Sequence, residues 1–203
     1  ELNVLIEAAP AIPENFRDSE YVFLANTHPA LQMELLSQCP AAKLVVADTM
    51  DLYINTEKTA LTELLKKIDG VIVNDSEALL YTGRKNIIEA GLEISRLCKR
   101  FCVIKKGEHG CILFIGGCAY PMPGYPASKV VDPTGAGDSF AGGMMGYISQ
   151  QDKVDDATLR RAMAYGTVVA SLELEDFSLN RLRKITRNEI DDRFSGFAKI
   201  TQF

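Results

Sequence analysis

Residues 57–74 read Glu-Lys-Thr-Ala-Leu-Thr-Glu-Leu-Leu-Lys-Lys-Ile-Asp-Gly-Val-Ile-Val-Asn. The first part sets Leu61, Leu64, Leu65 and Ile68 on one stripe of an amphipathic helix spanning Glu57 to Ile68. The last five residues, Gly70 to Asn74, form an apolar run of strand length with no polar alternation. A strand of that kind is covered on both faces, as in a parallel sheet. The same unit recurs on either side. Upstream, Tyr21–Ala25 and Lys43–Asp48 are strand-like, and Ala30 to Gln38 between them has helical spacing. Downstream, Ser76–Tyr81 and Asn86–Cys98 are helical, and Phe101–Ile104 is a fourth apolar strand. Strands alternating with helices predict an α/β fold, a mostly parallel sheet with helices on both faces and right-handed crossovers.

The pattern changes after Ile104. Cys111–Ile115 and Ala119–Met122, separated by Gly116-Gly117, predict a hairpin. Pro121, Pro123 and Pro126 mark a loop that ends at Lys129-Val130-Val131, which reads as a strand end. From Gly137 to Leu172 the spacing is helical, and two shorter helices are expected to complete the chain. There are no repeats or linker-like tracts, so residues 1–203 are expected to form a single domain.

Composition narrows the partners. The 203 residues carry a formal charge of −5, with 24% charged and 47% hydrophobic residues, enough to bury a substantial core. No block of Lys or Arg exceeds two, which disfavours a nucleic-acid or anionic-membrane surface. No stretch approaches the ~20 apolar residues that span a bilayer. The five cysteines are odd in number and lie mostly in apolar runs, the usage of buried, reduced thiols in a cytoplasmic protein. His28 and His109 add no second pair to Cys98 and Cys102, so a zinc site is not indicated. The chain starts at Glu1 with no leader behind it, which reads as a start in mid-protein.

The strongest chemical signal is Val131-Asp132-Pro133-Thr134-Gly135-Ala136-Gly137-Asp138-Ser139-Phe140. Small residues before a helix let the backbone approach a ligand and present several N–H groups to an anion. Asp138 then falls in the first helical turn, where a carboxylate can take a proton from an attacking hydroxyl. On turn physics alone, the same residues serve equally well for close packing and for a helix cap.

Asp132–Phe140 resembles the C-terminal signature of the ribokinase-like (PfkB-type) carbohydrate and nucleoside kinases. Two further segments match in order: Asn74-Asp75-Ser76-Glu77 is similar to the family's Asn-x-x-Glu element, and Lys105-Lys106-Gly107-Glu108-His109-Gly110 to its Gly-x-x-Gly strand–turn. The resemblance implies a ribokinase-like fold and ATP-dependent phosphoryl transfer to an alcohol of a small molecule, a sugar or nucleoside, with Mg2+ and, in some members, K+. It implies Asp138 as general base and the amides of Gly135, Ala136 and Gly137 as anion hole. Asn74 and Glu77 would order magnesium and its waters, and Lys105, Gly107, Gly110 and Thr134 would line the nucleotide site. Asp132 and Thr134 correspond to part of a monovalent-cation loop. Asp48 and Asp51, at a strand end, are candidate substrate contacts. Lys105-Lys106 departs from the family's more usual Thr-Leu.

The family's N-terminal strand, its Gly-Gly substrate motif and the β lid over the sugar have no counterpart here. Residues 1–13 read as a remnant just after that lid. A nucleotide-binding, non-catalytic fragment or regulatory paralogue is therefore the alternative, and homodimerisation, which the lid commonly mediates, is left open. Other chemistries fit less well. Gly137-Asp138-Ser139-Phe140 is similar to an esterase nucleophile block, but no histidine follows His109 to act as base. Gly135-Ala136-Gly137 lacks the third glycine of a dinucleotide fingerprint, and no P-loop is present.

Overall fold

The computed structural model describes residues 8–151 and 153–202; of the expected lid remnant at 1–13, residues 1–7 lie outside the described residues. Six strands form one sheet in sequential order: β1 (Tyr21–Leu24), β2 (Leu44–Asp48), β3 (Gly70–Asn74), β4 (Phe101–Lys105), β5 (Cys111–Ile115) and β6 (Cys118–Met122). The first four are parallel, with Tyr21 opposite Leu44, Val46 opposite Gly70 and Asn74 opposite Lys105. Gly116 and Gly117, both at positive φ, join β5 to β6. A two-residue link between neighbouring strands reverses the chain, so the hairpin forms as expected. Every residue of β2 is buried, as are four of five in β3, β4 and β5; the edge strands β1 and β6 are only partly covered.

By their contacts the residues fall into two compact units. The first runs to Lys105 and takes in Leu113–Ala119; the second holds Lys106–Ile112 and the chain from Tyr120 onward. In the first lie α1 (Pro29–Ser37), α2 (Asp51–Thr56), α3 (Lys58–Leu65), α4 (Asp75–Thr82) and α5 (Ile87–Leu97). The helix expected from Glu57 starts at Lys58, and α2, a short turn of helix directly before it, is an element the apolar spacing did not reveal. Phe101 and Phe114 are fully buried, and both lie against glycine: a Cβ at Gly70 or Gly91 would overlap their rings.

In the second unit, the helical stretch expected from Gly137 to Leu172 is two helices, α6 (Ala136–Ile148) and α7 (Asp156–Glu173). The polar run from Ser149 ends α6, and Asp155 opens α7 by accepting the Thr158 N–H at 2.9 Å. The two helices pack at glycines. A Cβ on Gly143 would lie 2.9 Å from Val169, and one on Gly166 would lie 2.7 Å from the Phe140 carbonyl oxygen. Lys129–Val131 is not a strand. Val130 and Val131 are exposed, and the Val131 N–H goes to the Leu174 carbonyl just past the end of α7, at 2.7 Å, instead of to a ladder partner. One three-residue 3-10 turn (Ser178–Asn180) and α8 (Arg187–Ile200) complete the chain. Among the described residues, no helix is long and apolar enough to cross a membrane.

Candidate active site

In the first unit, three neighbouring parallel strands end in polar residues: Asp48 on β2, Asn74 on β3 and Lys105 on β4. Such C-terminal strand edges are where open α/β sheets bind ligands. Asn74 is the N-cap of α4. Its Oδ1 accepts the Glu77 N–H at 2.8 Å and the Ser76 hydroxyl at 2.7 Å, while Glu77 Oε2 accepts the Asn74 N–H at 2.7 Å. The Asn-x-x-Glu element is thus a reciprocal capping box, which places Glu77 in the first turn whatever else it does. Glu77 is 8% exposed. Burial pushes its carboxyl above the ordinary value, with Asp48 and Asp51 adding to the rise and the Asn74 N–H and Lys105 opposing it. Lys105 Nζ stands 3.6 Å from Asp48 Oδ2 and is mostly covered. Asp51, the first residue of α2, is exposed.

Gln32 from α1 braces this edge. Its buried Nε2 donates to the carbonyls of Leu24, Ala25 and Asp48 at 2.9–3.0 Å, tying the ends of β1 and β2 to the helix. Sequence reasoning missed it, because one Gln on a mostly apolar helix carries no motif. His28 caps α1: its Nδ1 accepts the Ala30 N–H at 3.2 Å.

The second unit carries the small-residue turn. Gly135 is the N-cap of α6 at φ 92°, a left-handed conformation that favours glycine, and no side chain caps this helix end. The Ala136 N–H is bonded to the Pro133 carbonyl at 3.2 Å. Among the described residues, the N–H groups of Gly135, Gly137 and Asp138 have no such partner. They sit at the positive end of a 13-residue helix, an anion-binding arrangement that needs no side-chain cation. The Asp138 carboxylate is exposed in that first turn. Behind it, Asp132 accepts the Thr134 N–H at 3.0 Å and the Ser178 N–H at 3.3 Å, and these bonds hold its carboxyl below the ordinary range.

The Gly-x-x-Gly turn also lies here. Gly107 and Gly110 are both at positive φ. A Cβ at Gly110 would overlap the Met122 carbonyl, whereas one at Gly107 would meet nothing, so only Gly107 leaves its flank open to a ligand. A cavity of about 510 Å³ opens between Tyr125–Lys129 and the Glu175, Asp176, Arg181 and Arg193 side chains. None of the candidate catalytic, nucleotide, cation or substrate residues lines it.

One unit thus carries the buried carboxylates of Asp48, at a strand end, and Glu77, in a first helical turn, and the other carries the uncapped glycine turn. The model of the pfkB family carbohydrate kinases matches residues 15–182. The chain belongs to the PfkB family. A cytidine kinase of Thermococcus kodakarensis is 29% identical over 141 residues, covering 67% of this chain and 50% of that protein. A nucleoside kinase of Methanocaldococcus jannaschii is 26% identical over 166 residues, covering 80% of this chain and 51% of its own. Aminoimidazole riboside kinase from Salmonella enterica, solved with aminoimidazole riboside and an ATP analogue, superposes with a TM-score of 0.75 at 17% identity. It covers 86% of this chain and 63% of its own, and the likeness is one of fold. The PfkB chain thus spans about half the length of these two curated relatives.

Proposed function

We propose that this PfkB chain carries the nucleotide-binding and catalytic residues of an ATP-dependent kinase acting on a hydroxyl of a sugar or nucleoside. The carrying observation is the α6 N-terminus, where Gly135, Gly137 and Asp138 leave N–H groups without a partner among the described residues and Asp138 presents an exposed carboxylate in the same turn. Asp138 takes the proton of the acceptor hydroxyl as its oxygen bonds to the γ-phosphorus. The bond to the β-phosphate oxygen breaks, and ADP leaves. The unpartnered N–H groups take up charge on the transferring group's oxygens, where fixed donors need no reorganisation. The reading therefore moves one donor from Ala136, whose N–H is committed to Pro133, to Asp138 itself.

Magnesium, when bound, would neutralise phosphate charge. The residues present fit it, because Glu77 is a buried carboxylate whose Oε2 is committed to the cap while Oε1 is not. In this reading Asn74 holds Glu77 in place and Lys105 offsets the Asp48 charge. Gly107 and Thr134 flank the nucleotide, Gly110 shapes its turn, and Asp48 and Asp51 are the candidate acceptor contacts. Asp132 and Thr134 hold a monovalent cation.

The test is phosphoryl transfer from ATP to a panel of sugars and nucleosides, with nucleotide binding measured in parallel. Asp138→Asn should retain nucleotide affinity and lose about 10²–10⁴-fold in turnover. Unchanged turnover in that variant removes Asp138 from the chemistry. Nucleotide binding without turnover by the unsubstituted protein supports the non-catalytic alternative.

A further inference from the structure

Glu173 is the last residue of α7 and is 1% exposed. Neither of its carboxylate oxygens has a hydrogen-bond partner among the described residues. A buried carboxylate left in that state is among the costliest arrangements a fold can hold, and proteins resolve it with a proton, a cationic side chain or a metal. Among the described residues, no cationic side chain supplies the remedy here. The last turn of α7 carries no basic residue. The nearby arginines, Arg181 and Arg193, are paired with Glu175, two residues further on. The surroundings instead add negative charge. An 18-residue helix ends at Glu173 and brings the negative pole of its dipole there. Burial, and after it the Asp132 charge, push the Glu173 carboxyl above the ordinary value.

Position gives the deficit a purpose. Glu173 Oε1 is aimed at the Gly135 turn, 3.6 Å from where a Cβ on that residue would lie. The same turn is tied to the end of α7 through the bond from Val131 to Leu174 and the bond from Ser178 to Asp132. We propose that Glu173 is a direct ligand of a hard metal cation held between the end of α7 and the Asp132–Gly135 loop. The inference rests on the cation role given above to Asp132 and Thr134. It adds a buried carboxylate to that site and so raises its formal charge from −1 to −2. An all-oxygen, carboxylate-rich setting selects alkali or alkaline-earth ions over thiophilic ones. A cation there would offset the buried charge and fix the turn whose N–H groups face the nucleotide.

The experiment is thermal unfolding of the full chain in potassium, sodium, magnesium or calcium chloride, each against choline chloride at matched ionic strength. Without cation, Glu173→Gln should be more stable than the unsubstituted protein, since it keeps the shape and removes the charge. It should also lose the cation-specific rise in Tm, with affinity about tenfold weaker or worse, because loss of even an outer partner commonly costs 10–100-fold. The salt that stabilises the unsubstituted protein distinguishes a monovalent from a divalent ion. An equal cation-specific rise in Glu173→Gln overturns the proposal, as does its absence from the unsubstituted protein. Asp132→Asn separates the two readings. If it abolishes the rise while Glu173→Gln does not, the loop binds a cation without Glu173. ATP binding, followed separately, reports on the kinase reading.

Discussion

Glycine in the middle of a helix costs about 1 kcal/mol relative to alanine, so the glycines of α6 and α7 form a matched set. At Gly146 an added Cβ would meet nothing within 4 Å, and Gly146→Ala should gain most of that amount. At Gly166 the Cβ would sit 2.7 Å from the Phe140 carbonyl oxygen and 3.0–3.1 Å from its ring. The ring can turn but the carbonyl is backbone, so α6 and α7 must separate. Overpacking of this kind costs about 1–3 kcal/mol; set against a propensity gain of about 1 kcal/mol, it leaves Gly166→Ala destabilised by about 1 kcal/mol at the middle of that range and by up to ~2 kcal/mol. Gly143→Ala, 2.9 Å from the side chain of Val169 and 3.1 Å from the Gly166 Cα, should fall between them. At ~2–4 °C per kcal/mol for a chain of this size, Gly146→Ala should raise Tm by a few degrees and Gly166→Ala lower it by as much or more. Urea unfolding followed by far-UV circular dichroism, with slopes compared, gives the free energies directly. If Gly166→Ala stabilises as much as Gly146→Ala, the close approach of the two helices is wrong, and with it the account of how the α6 turn is supported.

Further outcomes are expected elsewhere. Gly137→Val should weaken nucleotide binding more than folding, because its branch crowds the anion turn; equal ATP affinity in a folded variant would leave the turn a packing device. Asn74→Ala should cost about 1 kcal/mol by opening the α4 capping box, read as faster hydrogen exchange in α4 and a lower urea midpoint. Glu77 titrates above the ordinary glutamate value. The folded state therefore holds its proton more tightly than the unfolded one, and the stability this gives is lost as pH rises from the ordinary range through the folded value. Glu77→Gln should flatten that part of the stability–pH curve, and an unchanged slope would count against the burial assigned to Glu77. Burial pushes the Cys98 and Cys111 thiols up to about 12, whereas Cys118 is exposed. A disulfide reagent should accordingly modify one thiol quickly in the native protein and all five after unfolding.

The sheet was legible because β2, β3 and β4 are buried on both faces, which leaves continuous apolar runs too short for a buried helix and alternating with amphipathic ones. The Gly116-Gly117 hairpin and the α6 turn were legible because positive φ and close backbone approach restrict the residues allowed. Where tertiary contacts decide, the sequence was mute. The apolar Lys129-Val130-Val131 looked like a strand, but its backbone is anchored to the end of α7. The break between α6 and α7 depends on one capping aspartate inside a polar run. The chemical residues divide in the same way. Asp138 stands out by its place in the first turn of α6, whereas Asn74 and Glu77 were candidates only through the resemblance of their segment to the family's Asn-x-x-Glu element. Glu173 did leave a trace, a carboxylate seven residues beyond Gly166 on the buried side of α7, yet a single charge in that register reads as the start of a polar helix end.

The Gln32 amide sets a condition on how this protein ages chemically. Its nitrogen serves three carbonyl oxygens, each of which can only accept. Deamidation exchanges that nitrogen for oxygen with almost no change in size or shape. The product would set a carboxylate, without a proton to give, against three backbone dipoles of the same sign in a site closed to water. Damage that passes unnoticed on a surface would here unfasten α1 from the ends of two strands. Because hydrolysis of the amide needs the water that the folded site excludes, a mass increase of about one unit on the peptide containing Gln32 should appear in a stored preparation only in molecules whose α1 has already opened, and those should be unable to close again.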